Sequence, residues 1–467
     1  MKAQKEKIPV DKRSKMLAND SIGSLLFRLS LPASIGMIVH ALYNVVDAIF
    51  VGRGVGAMGI AGIAIGFPIQ LAIMAIAQTI GIGAASIVSR SLGARNIERA
   101  EKTMGNAFSF AFILGASVMI FGLIFIDPLL ALFGSTQTIL PYAKAYLSVI
   151  LFGSMFITFN MSMNNIVRAE GNAKVAMGTM LVGAITNMIL DPIFIFGFHM
   201  GIRGAALATV ISQGVTFVWL MYYFLSGKSV MKLHIRHLKP DKGIVAEAFA
   251  IGASSSVRQI SGSVLIAILN HTLAKYGGDI SIAIFGLVNR LSMFALMPAF
   301  GVAQGFQPIA GFSYGAKRYD RTKKSLYLAI IVATIITTAG FLVMMLFPSQ
   351  LIGLFTTDQD LIASGIMPLR IIVLTFPFVG FMTIVATLFQ AIGKPVQALI
   401  LSMARQIIFL IPLIFILPRF FKLNGVWYSF PLADFLTMML TVVLFIREVR
   451  TMKEKIEGIL TTSQANL

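Results

Sequence analysis

The chain has 467 residues, 57% of them hydrophobic and only 12% charged, about half the roughly 25% charged content of soluble domains. That balance excludes an ordinary soluble globular protein. The complete lack of cysteine excludes disulfides, thiolate metal sites and thiol catalysis, and the net charge of +19 has to be read from its placement.

The first twenty residues are basic and polar, with Lys2, Lys5, Lys7, Lys12, Arg13 and Lys15. The apolar run that follows is too long for a signal-peptide core and has no small-residue cleavage site behind it, so it reads as a first membrane span. Apolar runs of about twenty residues then recur along the whole length. They predict an all-α integral membrane protein with twelve transmembrane helices: 22–50, 58–82, 104–125, 141–164, 173–197, 203–225, 245–274, 280–306, 325–347, 361–389, 396–418 and 425–447. This organisation gives an N-terminal segment 1–20, a first lobe 21–225 holding helices 1–6, and a linker 226–243. A second lobe 244–447 holds helices 7–12, and a tail covers 448–467.

Lys and Arg alternate between the loops. Counted loop by loop, 27 of the 38 fall on the side of both termini and 6 on the other. The positive-inside rule then makes both termini cytoplasmic in a multi-pass protein of the cell membrane. Orientation and attraction to anionic lipid account for the basic charge, and nucleic acid is not an expected partner.

The two halves repeat at a near-constant offset. Ser91-Leu-Gly-Ala-Arg95 matches Ser313-Tyr-Gly-Ala-Lys317, and Gly56, Gly83 and Gly171 match Gly278, Gly305 and Gly393, all 222 residues apart. Six spans per repeat return the chain to the same side, so the pseudo-symmetry axis runs along the membrane normal. Two like-oriented six-helix lobes suit a transporter that rocks around a central cavity. No GxxxxGK[ST] loop is present, so an ion gradient or a partner chain must supply energy. No catalytic constellation stands out, and an enzyme is not expected.

Two carboxylates, Asp47 and Asp191, lie deep in apolar segments of the first half. An Asp at the centre of a membrane helix costs about 2.5–3.5 kcal/mol on insertion scales, which marks it as functional. Asn44 and Asp47 share a helix face in the first span, with His40 one turn earlier. Asn187 and Asp191 share a face in the fifth, just before Pro192. Such hard oxygen ligands suit Na⁺, and two neighbouring acids equally suit a proton. The second half has no acid at the matching positions. It carries Arg258, Arg290, Arg370, Arg405 and Asp434 instead.

The segments LYNVVDAIFVGR (42–53), SRSLGARN (89–96), RAEGNAKVAM (168–177), TNMILDP (186–192) and GIRGAALATVIS (201–212) resemble, in this order and spacing, the multidrug and toxic compound extrusion (MATE) family. They look most like its DinF-like branch. The resemblance implies antiport of amphipathic, often cationic compounds against H⁺ or Na⁺, with no other cofactor. It implies a first-lobe cation site at Asp47, Asn187, Asp191, Ala205 and Thr209, with Na⁺ at Asp47, Asn187, Ala205 and Thr209. It also implies a helix-bending proline at Pro32. A substrate-contacting Gln of some relatives is replaced by His40, and Asn160 and Asn164 are further candidates for the cavity wall. The expected partners are the small-molecule substrates and the lipid bilayer, with the chain acting as a monomer. A lipid or lipid-linked oligosaccharide flippase of related architecture is the alternative, and would use the second-lobe arginines to line its cavity.

Overall fold

The structure is a computed structural model that describes residues 12–465. Helices account for all its regular structure, and there is no strand among the described residues. A short helix α1 (Lys12–Asn19) precedes the first lobe: α2 (Ile22–Gly54), α3 (Ala57–Gly93), α4 (Ile97–Ile124), α5 (Ile126–Leu132), α6 (Leu140–Phe152), α7 (Ser154–Ala169), α8 (Ala173–Pro192) with a π turn Ile193–Gly197, and α9 (Gly201–Leu225). The second lobe is α10 (Lys242–Gly315), α11 (Tyr319–Leu346), α12 (Pro348–Gly353), α13 (Gln359–Val373), α14 (Phe376–Ala391), α15 (Pro395–Met403), a π turn Ala404–Leu410, and α16 (Ile411–Ala465).

These helices make twelve spans. Six are α2, α3, α4, α8 with its π turn, α9 and α11. Two are bent pairs, α6 with α7 at 52° and α13 with α14 at 44°. The 74 residues of α10 would run about 110 Å as one helix, against a bilayer core of about 30 Å. The backbone turns back at Gly278 (φ 65, ψ −167), which makes α10 two spans. Lys422 (φ 50) divides the α15–α16 run in the same way.

The repeat seen in the sequence is also a repeat of backbone conformation. Gly56 (φ 81) faces Gly278 (φ 65) at 222 residues, Arg95 (φ 57) faces Lys317 (φ 57), and Gly171 (φ 86) faces Gly393 (φ 75). The left-handed region is cheap for glycine, so these glycines mark the tight corners between spans. Polar caps begin the helices that follow two of the corners: Asn96 accepts from Arg99 N at 3.0 Å, and Asn172 from Val175 N at 3.3 Å.

The helices outrun the sequence-based spans on the side of the termini. The second span continues to Gly93, the eighth to Gly315 and the last to Ala465. Arg90, Arg168 and Arg450, which fall outside the sequence-based spans, therefore lie on helices. A hydropathy window finds the lipid-buried middle of a helix and stops where charge begins, although the backbone helix goes on into the interface.

The lobes meet on the terminal side. One buried core there combines Leu25, Ile80 and Met163 of the first lobe with Val302, Phe306 and Ile384 of the second. Towards the opposite side the cores separate. One contains only second-lobe residues such as Leu269, Trp427 and Phe376. The others contain only first-lobe residues such as Ile73, Leu147, Ile202 and Val51. A shared core on one side and divided cores on the other describe a V that is closed at the terminal side.

Close backbone approach makes the seal. A Cβ on Gly93 would lie 2.0 Å from the Phe312 carbonyl oxygen, and one on Gly315 would lie 2.0 Å from that of Arg90. These two contacts are images of each other under the 222-residue repeat. Arg90 and Arg99 of the first lobe also share Glu247 of the second, at 2.9 and 2.5 Å.

Candidate functional site

Two features share the first lobe. The first is an oxygen cluster between α2, α8 and α9. Helix α2 packs along α8, which brings the carboxyl groups of Asp47 and Asp191 within hydrogen-bonding reach of each other. Asn187, one turn before Asp191, donates through Nδ2 to Asp191 Oδ1 at 3.2 Å and to Thr209 Oγ1 at 3.4 Å. The Thr209 hydroxyl donates to the Ala205 carbonyl at 3.1 Å. Asp191, Asn187 and Ala205 are at most 1% exposed. The side chain of Asn44 lies outside the described residues.

This cluster is rich in acceptors and poor in donors. Asp47 Oδ1, Asn187 Oδ1 and Asp191 Oδ2 are buried with no hydrogen-bond donor. Buried acceptors are normally satisfied, and two carboxylates this close repel strongly in a low dielectric. A proton or a small hard cation relieves both faults at once, so the residues present fit H⁺ or Na⁺. The structure thus brings Asp47, Asn187, Asp191, Ala205 and Thr209 together around one point.

The second feature is a cavity of about 330 Å³. Its wall includes His40 and Tyr43 of α2, Gln70 and Gln78 of α3, Asn160, Asn164 and Arg168 of α7, and Thr209 and Gln213 of α9. Met293, Met297 and Gln304 close it from the second lobe. His40, Asn160 and Asn164 are therefore on the wall. His40 stacks edge-on against Tyr43 at 4.9 Å. Asn160 donates to the carbonyl and side-chain oxygens of Gln213 at 2.8 and 2.9 Å. Thr209 belongs to both the cavity and the oxygen cluster. Sequence reasoning missed Gln70, Gln78, Gln213 and Arg168. A neutral amide inside an apolar run was the available signal for the glutamines.

The second-lobe arginines lie elsewhere. None of Arg258, Arg290, Arg370 or Arg405 lines the cavity. Arg405 instead pairs with Asp434 at 2.5 Å, and Thr375 donates to the same carboxylate at 2.7 Å. The second-lobe acid thus has a built-in cation. Pro32 lies inside α2, which runs as one helix from Ile22 to Gly54. There Ser34 Oγ reaches the Pro298 carbonyl at 3.3 Å, which ties the region around Pro32 to the second lobe.

Twelve spans in two repeated lobes, closed on one side over a cavity with an adjoining oxygen cluster, define a two-lobe membrane transporter. The MatE family pattern matches residues 32–193 and 255–416, once in each repeat. The chain belongs to that family. It is similar to the multidrug export protein MepA of Staphylococcus aureus (strain MSSA476), 28% identical over 437 residues, covering 93% of this chain and 96% of the relative. MepA of Staphylococcus haemolyticus (strain JCSC1435) is 26% identical over 414 residues, covering 89% and 91%. Among solved structures, an outward-facing multidrug resistance MATE family transporter of the MOP superfamily matches with TM-score 0.90 and 30% identity, covering 95% of this chain and 99% of that one. MATE structures in the straight and bent conformations both match with TM-score 0.90, at 30% and 29% identity and the same coverage.

Proposed function

We propose that this chain is a secondary antiporter of the cell membrane that exports amphipathic, often cationic small molecules in exchange for H⁺ or Na⁺. The termini and the sealed end of the V are cytoplasmic, as the loop charges indicate. The chain works as a monomer in the lipid bilayer. The observation that carries the reading is Thr209, which lines the cavity while bonding into the Asp47–Asn187–Asp191 cluster. A cation arriving at the cluster changes the hydrogen bonding of a residue that touches substrate. It drives transport only by binding one conformation more tightly than the other. Bending of α2 near Pro32 is the accompanying motion, since that segment bridges the lobes. The export proteins and multidrug transporters it resembles support this substrate class.

The test is efflux of a fluorescent organic cation from proteoliposomes under separate Na⁺ and H⁺ gradients. Asp47→Asn and Asp191→Asn are each expected to lower gradient-driven efflux at least tenfold with substrate binding retained. Undiminished coupled efflux in both variants overturns the assignment.

A further inference from the structure

Among the described residues the cavity wall contains no carboxylate, and its one permanent charge is Arg168. The wall also holds His40, whose charge depends on pH. Other arginines near this side of the molecule have acids: Arg13 is bonded to Glu170, and Arg90 and Arg99 share Glu247. Among the described residues Arg168 has only neutral amides as partners. Its Nη1 donates to Asn164 Oδ1 at 2.5 Å and its Nη2 to Asn165 Oδ1 at 2.6 Å. Those amides are themselves fixed. Asn164 Nδ2 donates to the Ala176 carbonyl at 2.9 Å and to Thr179 Oγ1 at 2.5 Å. Asn165 Nδ2 donates to Gln78 Oε1 at 3.0 Å and to the Met161 carbonyl at 2.8 Å.

A guanidinium carries five N–H donors in a planar fork. Two of Arg168's are used, so three have no protein acceptor among the described residues. A half-buried charge without a counter-ion is costly, and here groups from α3, α7 and α8 hold it in place beside the cavity. We infer that Arg168 recognises a carboxylate on the transported molecule. The preferred substrate is then an amphipathic acid or zwitterion. Its apolar body lies against Met37, Met74, Met180 and Met297, an unbranched and adaptable wall. One guanidinium balances one carboxylate, whereas a phosphate dianion would remain half-neutralised. This inference rests on the export reading for its biological sense but is measured by binding alone.

The probes are tetramethylrhodamine, which carries a benzoate, and its methyl ester, which is a plain cation of nearly the same shape. Their binding to the purified full-length chain is followed by fluorescence anisotropy. The acid is expected to bind roughly tenfold or more tightly than the ester, the scale of a charge-assisted hydrogen bond. Arg168→Gln is expected to weaken the acid far more than the ester, which brings the ratio towards one. Arg168→Lys keeps charge without the fork and is expected to fall between. A wild-type ratio at or below one overturns the proposal without any variant. So does an Arg168→Gln protein that weakens both probes equally, because a residue that only braces three helices acts on both alike. Efflux of the ester from proteoliposomes under an ion gradient tests the export reading separately. Its failure with the binding ratio intact would overturn that reading and leave the carboxylate site standing.

Discussion

In the antiport we propose, Thr209 is the residue through which cation and substrate sense each other. Its hydroxyl accepts from Asn187, donates to the Ala205 carbonyl and lines the cavity. Thr209→Val keeps the shape and deletes the hydroxyl, whereas Thr209→Ser keeps the hydroxyl. A neutral hydrogen bond is worth about 0.5–1.5 kcal/mol. The Val variant is therefore expected to need about three- to tenfold more coupling ion for half-maximal efflux, with Ser close to wild type. Titration of efflux against ion concentration checks this, and a Ser variant as impaired as Val would remove the hydroxyl from the mechanism. Much of this cluster was legible in the sequence, because an acid inside an apolar run is an energetic anomaly that needs no structure to notice. Ala205 was not legible that way: its contribution is a carbonyl oxygen, which every residue has, and only the family resemblance pointed to it. Arg168 was misread as a loop charge because α7 carries its helix five residues past the apolar stretch, to Ala169.

At the scale of elements, the interlobe crossing of α3 and the first half of α10 depends on small residues. A Cβ on Gly252 would sit 1.7 Å from the Thr79 carbonyl oxygen. Four residues further along α10, the hydroxyl of Ser256 touches that of the same Thr79. Overpacking costs about 1–3 kcal/mol, enough to shift a two-state equilibrium about fivefold or more. The chain has no cysteine of its own, so a Thr79→Cys/Ser256→Cys pair reports this contact without background. The pair is expected to cross-link readily, and adding Gly252→Val is expected to reduce the yield at least fivefold. An unchanged yield would show that the two helices do not need the close approach. The middles of these helices were readable from hydropathy, and their order from the repeat. The crossing itself was not, because a glycine in a membrane helix looks the same in sequence whether it meets a backbone or lipid. The pseudo-symmetric contacts of Gly93 with Phe312 and of Gly315 with Arg90 identify which glycines meet backbone.

For the whole molecule, every interlobe ion pair among the described residues lies at the sealed end, and both converge on Glu247. The Arg90, Arg99 and Glu247 side chains are 20%, 47% and 30% exposed, so solvent screens these bonds and each is worth only about 0.2–1 kcal/mol. In the transport cycle we propose, that weakness suits a gate that opens once per cycle: the packed core and the glycine contacts hold the closed end, while the ion pairs add a bias small enough to be overcome. Glu247→Gln removes both pairs and leaves the size of the side chain unchanged. The lost bias corresponds to about a two- to thirtyfold shift towards the conformation open at the terminal side. A single cysteine at Gln78, on the cavity wall, reads this directly, since a membrane-impermeant maleimide added to that side reaches it only when the seal opens. Labelling in the Glu247→Gln background is expected to run about two- to thirtyfold faster than with Glu247 intact, and high salt is expected to accelerate the Glu247 protein towards the same rate. If the two backgrounds label equally at low salt, the seal is made by packing alone, and the alternation of access would then have to be driven entirely by the cation cluster near Asp47 and Asp191.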